Sequence, residues 1–254
     1  MIKTKFLRPA WMAFLCLLIS YPPAQAFDSV DAQIDHYLSI LNQGGTSQKI
    51  EMLKQLQWSG LTDPRLYDPI EAQVRAQYLS KNLDKNQINV AAHAIRALGY
   101  SGNDKYRETL AQVQTGAGER KLRSHAKKAL IQLEKFNLWN MKIGLSDYPV
   151  EGKDVQTATY MKMLAVDDFA VQRLAARAIF HQYLRDPDMI ALAAQKLEQA
   201  YAQPGLSKDA QDTVAWLCKA VGRAGPLEHG ALLRRVAADS PYKKVRKHAQ
   251  KYAN

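Results

Sequence analysis

The chain has 254 residues, a formal charge of +11 and two cysteines. That length suits one or two ordinary domains. The positive charge suits lipid headgroups, acidic proteins, cell-wall polymers or nucleic acid without choosing among them, and no stretch reads as a low-complexity linker.

Residues 1–26 read as a cleavable export signal. Lys3, Lys5 and Arg8 form the basic start, "AWMAFLCLLIS" the apolar run, and Ala24-Gln25-Ala26 a small-x-small cleavage site. The run is short for a bilayer span, and no second one follows, so no transmembrane segment is expected in the mature chain. Leu15 directly before Cys16 argues against lipid attachment there. Cleavage after Ala26 starts the chain at Phe27, and losing Lys3, Lys5 and Arg8 takes the charge from +11 to +8. Only Cys218 then remains, so packing and not an intrachain disulfide must hold the fold. The expected compartment is the periplasm, with secretion as the alternative.

Beyond the signal the chain repeats itself. Residues 90–130 align without a gap on residues 213–253: Gly99 meets Gly222, Gly102 meets Gly225, Leu110 meets Leu233, and Val113 meets Val236. Lys121, Arg123, His125, Ala126 and Lys128 meet Lys244, Arg246, His248, Ala249 and Lys251. A shorter unit recurs at "VQRLAARAI" and "TVAWLCKAV", and a degenerate first copy at "IEMLKQLQWSG", whose "WSG" parallels the "YSG" of residues 100–102.

In chain order, the repeated helices are predicted near 48–57, 88–98, 121–133, 169–182, 209–221 and 243–252. Spacings of roughly 32 to 49 residues suit a stack of helical hairpins. Partner helices are predicted from Pro69, capped by Asp68; from Asn103; from Val155; from Pro187, capped by Asp186; and from Pro226. No stretch alternates as a strand. The basic tract "ERKLRSHAKKAL" at 119–130 is therefore mainly a packing helix: Leu122, Ala126, Ala129 and Leu130 share one stripe, and its charges lie outside it.

These residues resemble HEAT repeats. The resemblance is carried by Leu122-Arg123-x-x-Ala126-x-x-Ala129-Leu130, by Val171-Gln172-x-x-Ala175-x-x-Ala178-Ile179 and by Val245-Arg246-x-x-Ala249, and covers most of residues 45–254. It departs at Gln172, where the family often has Arg, and at Tyr252, where a small residue is usual. It implies an all-α superhelix, an α-solenoid of about five to six hairpins with a concave binding face, and no shared catalytic site. The expected organisation is a single solenoid over 27–254 with an irregular connection at 134–154.

Directly before the second small residue of the repeated helix stand Arg96, Lys128, Arg177, Lys219 and Lys251, so all five copies are basic there. Equivalent solenoid positions form a line, which makes these a candidate positive ladder. One reading is a groove for an anionic partner; the other is long basic chains lying over Ala-rich helix contacts with their charges in water. Phe136, Leu138, Trp139, Met141 and Ile143 make the 134–154 segment more apolar than a free loop, with Phe136, Trp139 and Tyr148 as its candidate contact residues. The segment reads as a contact loop, or Phe136 and Trp139 as a plug between two halves of the stack.

His93, His125 and His248 share one register, which spreads them along a solenoid instead of converging them on a metal. The chain has no H-E-x-x-H, G-x-S-x-G, Gly-rich phosphate loop or C-x-x-C. The expected function is a noncatalytic exported scaffold, without cofactor, that binds a protein or envelope component. A module for nucleic acid or another polyanion is the first alternative, although an export signal makes DNA an unpromising ligand. An envelope enzyme with no readable motif is the second.

Overall fold

The computed structural model describes residues 27–253; the expected signal, 1–26, lies outside the described residues. Among the described residues there are twelve α-helices and no strand. They run as six hairpins: α1 Val30–Gln43 with α2 Thr46–Gln55, α3 Pro64–Gln77 with α4 Lys85–Tyr100, and α5 Arg107–Gly116 with α6 Arg120–Gly144. The remaining three are α7 Val155–Ala165 with α8 Phe169–Gln182, α9 Pro187–Ala200 with α10 Lys208–Ala224, and α11 Pro226–Asp239 with α12 Lys243–Tyr252. Each helix packs on its hairpin partner, and the second helices stack in series, α2 on α4 on α6 and α8 on α10 on α12. This is a HEAT-like α-solenoid.

The repeat register explains the packing. Leu122 and Val245 are fully buried, as are Ala126 and Ala249, and the small residues let neighbouring helices approach. Arg123 and Arg246 are hairpin braces. Arg123 donates to the Ala117 carbonyl, and Arg246 Nη1 donates to that of Ser240 at 2.7 Å. Gln172, the departure from the repeat pattern, makes the same bond to the carbonyl six residues back, Nε2 to Val166 O at 2.9 Å.

The stack has two hydrophobic cores. One is built from α1 to the first half of α6, from Ile34 to Leu133; the other gathers Tyr100, Phe136 and Ile143 with residues of α7 to α12. The series of second helices is interrupted between them, for α6 and α8 scarcely touch.

Three expectations change. First, α3 begins at Pro64, not Pro69. Two Asp-Pro pairs compete as helix starts, and the earlier one wins because Asp63 accepts from Arg65 N at 2.9 Å while the added turn buries Leu66 and Tyr67 completely. Pro69 is left inside the helix, where it cannot donate a backbone hydrogen bond. Asp68 instead accepts from the Tyr106 hydroxyl at 2.8 Å and from Lys105 Nζ at 2.8 Å. Second, the connection expected at 134–154 is shorter, because residues 134–144 are the last turns of α6. There Asn137 and Asn140 donate to the carbonyls of Gly102 and Ser101 at 2.9 and 3.0 Å, tying α6 to the turn after α4. That turn needs Gly102, whose φ is +60° and whose missing Cβ would lie 2.6 Å from the Phe136 backbone. Third, α1 was not anticipated as a partner for the degenerate first repeat; it buries Ile34, Tyr37 and Leu41.

Candidate functional site

The ladder residues lie on α4, α6, α8, α10 and α12. Lys128 and Lys251 are exposed, while Arg96, Arg177 and Lys219 are half-buried. Among the described residues none of the five forms an ion pair. Some cations outside the ladder do: Arg65 with Asp31 and Asp63, Lys105 with Asp68, Arg107 with Glu134, Lys153 with Asp186, Arg173 and Lys244 with Asp212, and Arg235 with Glu198. The ladder positions thus share their lack of a carboxylate partner with other surface cations, and differ from them in what lies beneath them.

Aromatic rings take the place of carboxylates. The Arg177 guanidinium lies 5.5 Å from the Trp58 ring centre and 5.4 Å from that of Trp216. Lys219 Nζ sits 3.6 Å from the Trp216 centre, and Lys251 Nζ 5.6 Å from that of Tyr252. Arg96 Nε donates to the Tyr100 hydroxyl at 3.1 Å. Rings of this kind hold cations while leaving their outer N–H groups for a ligand. Arg223 extends the series beyond the ladder, 4.4 Å from the Phe180 centre.

The charge is partly desolvated. Burial, reinforced by the like charge of Arg173, pulls Arg177 below the usual guanidinium value, and its buried Nε has no hydrogen-bond acceptor among the described residues. Burial likewise pulls Lys219 down. His93 records the same field: burial first, then Arg96 and Lys54, push it down to about 4. Because its value when unfolded is near 6.5, the unfolded chain binds this proton more readily. His93 therefore contributes stability that is present above about pH 6.5 and lost as pH falls toward 4. His125 and His248 are shifted the same way by burial. Urea midpoints measured from pH 7 to pH 4.5 should fall less steeply for His93→Gln than for the parent protein. Parallel slopes would reject this assignment.

Phe136 and Trp139, expected on a loop, sit on α6 instead. Phe136 is buried against Tyr100 with ring centres 5.2 Å apart, and Trp139 packs edge-on against Phe136 at 5.0 Å. Helical spacing carries both toward the second core, so Phe136 belongs to the junction between the cores and not to a contact loop. Tyr148 does lie in the connection and is half-buried against the second core.

The aromatic members of the cationic face were not singled out from the sequence. A signal existed for two of them: Trp58 and Tyr100 open the parallel "WSG" and "YSG" segments, and both lie beside ladder cations. Among the described residues no group of three or more His, Cys, Asp or Glu side chains is placed to hold a metal, and no helix is long and apolar enough to cross a membrane. Cys218 is buried, which pushes its thiol up to about 12. Such a thiol is a packing group and not a nucleophile at neutral pH.

No family model matches the chain, and no curated protein matches it significantly. A solved structure of human deoxyhypusine hydroxylase in complex with glycerol aligns with 87% of this chain and 83% of that one, at 16% identity and a TM-score of 0.34. At that level the likeness carries no argument, and the solenoid assignment rests on the helix pairing described above.

Proposed function

We propose that this protein is a noncatalytic binding scaffold that holds an acidic polypeptide segment of a protein or envelope partner along the face carrying Arg96, Lys128, Arg177, Lys219 and Lys251. The carrying observation is that four of these five repeat-equivalent cations, Arg96, Arg177, Lys219 and Lys251, lie over aromatic rings, and that none of the five has a carboxylate partner among the described residues. A partner carboxylate would gain charge-assisted hydrogen bonds from groups already held in place by aromatic rings. The export signal expected at residues 1–26 would support a periplasmic site of action, with secretion as the alternative.

Stacked single-stranded nucleic acid is the weaker reading of the same face. Base stacking needs an open ring, and Trp216 already carries Lys219 at 3.6 Å and Arg177 at 5.4 Å.

The test replaces Lys128, Lys219 and Lys251 with glutamine and retains Arg177, which packs between two rings. Crosslinking capture from native cell envelope, followed by affinity measurement on the captured partner, should show roughly a tenfold loss for the triple variant if each exposed pair is worth about 0.5 kcal/mol. Affinity should also fall with added salt. Equal binding by both proteins, at matched circular dichroism, would remove the ladder from the reading.

A further inference from the structure

The cationic face is not uniform. Between α4 and α6 it sinks into a recess of about 230 Å³, lined by Gln57, Arg96, Tyr100, His125, Lys128 and Gln132 with the small Ala129. We propose that this recess is a binding subsite for a phosphoryl group, either free phosphate or a phosphomonoester. The proposal rests on the reading of the face as anion-binding and names a discrete ligand for one part of it.

The lining is rich in donors and contains no carboxylate. Arg96 commits its Nε to the Tyr100 hydroxyl at 3.1 Å, which fixes the guanidinium and leaves Nη1 and Nη2 available. Accepting that bond leaves the hydroxyl proton of Tyr100 available to donate. Burial raises the Tyr100 phenol above its usual value, so that proton is retained at neutral pH. Lys128 brings an ammonium with no ion-pair partner among the described residues, and Gln57 and Gln132 bring neutral amides. His125 lines the recess as well, and its buried Nδ1 has no hydrogen-bond partner among the described residues.

A compact anion with several acceptor oxygens would satisfy these donors together, which a single chloride cannot do. A planar carboxylate offers only two oxygens, against the three of a phosphomonoester or the four of free phosphate. The recess is also smaller than the ~300–1,000 Å³ typical of drug-sized ligands, matching a single phosphoryl group with little attached. Ala129 contributes no more than a methyl group to the lining.

The test uses the chain from Phe27 onward, which contains both hydrophobic cores. Calorimetric titration with inorganic phosphate and, separately, with glycerol 3-phosphate is carried out in 150 mM chloride-based buffer of about physiological strength. Saturable one-to-one binding of either probe is expected, weakened roughly tenfold or more by Lys128→Gln. Lys127→Gln, an exposed neighbour that does not line the recess, removes the same charge and should change affinity less than about twofold. Tighter inorganic phosphate would identify the free ion as ligand; tighter glycerol 3-phosphate would identify a phosphoryl group carried on a larger molecule. Absence of saturable binding to both probes, or equal losses for the two lysine variants, would overturn the subsite. If acidic-partner capture persisted in that case, only the subsite would fall, whereas loss of both would remove the anion-binding face itself.

Discussion

Replacing Phe136 with alanine is expected to cost about 3–5 kcal/mol and to divide unfolding into two steps. Phe136 is 5% exposed and belongs to the second core, although its helix also forms much of the wall of the first. Its ring bridges Tyr100, at the end of α4, and Trp139. Since α6 and α8 scarcely touch, Phe136 is a principal link between the halves, beside Trp58 at the end of the first hairpin, whose ring centre lies 5.3 Å from that of His181 on α8. In a stacked array stability is approximately a sum of unit and interface terms, and removing one interface uncouples the units on either side. Scanning calorimetry should show one cooperative transition for the parent protein and two for Phe136→Ala. A single, merely shifted transition in the variant would show that the cores are coupled by other contacts.

A second large effect is expected at Gly99. In most helix interiors replacing glycine with alanine is favourable by about 0.5–1 kcal/mol. Here a Cβ would lie 2.6 Å from the Ala129 carbonyl oxygen and 2.9 Å from its Cα. These are backbone atoms of α6 and cannot rotate away. Gly99→Val should therefore destabilise at the upper end of the ~1–3 kcal/mol range for overpacking. Gly144 is the internal comparison: it ends α6 with nothing within 4 Å of its missing Cβ, so Gly144→Ala should be neutral or slightly stabilising. Urea unfolding of the three proteins distinguishes the cases, and a stability of Gly99→Val equal to the parent's would refute the close approach.

The same site shows what the sequence made legible. The pairing of Gly99 with Gly222 carried real structural information, since both glycines face equivalent positions on the next second helix, Ala129 and Tyr252. The repeat also located the buried leucine, valine and alanine stripes, because their 3.6-residue period is set by packing against the adjacent hairpin. The braces were only half legible: Arg123 and Arg246 share a register, but glutamine reaches the same carbonyl from position 172.

The extension of α6 was hidden for a physical reason. Asn137 and Asn140 are indifferent helix formers, and the carbonyls they satisfy belong to a turn 35 and 39 residues earlier in the chain. Local patterns do not contain such partners. The ladder was readable as a register of basic residues. Its lack of carboxylate partners was not, because Asp212 and Glu198 find Lys244 and Arg235 only once the hairpins are stacked. The recess beside Arg96 was similarly invisible, since Gln57 reaches it from the first hairpin.

The uninterrupted course of α6 has a mechanical consequence. Its 25 residues make a rod about 37 Å long that is embedded in both cores. The boundary between the cores therefore falls within a helix, with the loop only after it at 145–154, and spreading the halves requires flexing the rod, unwinding its final turns or pulling Phe136 and Ile143 out of the second core. Lys128 rides on the first half of that rod, while Lys142 near its end grips Asp168 at the start of α8 at 2.6 Å. The spacing between charges on the two sides is consequently referred to one helix, and under the proposed function the face would act as a ruler, favouring partners whose negative charges already match its graduations.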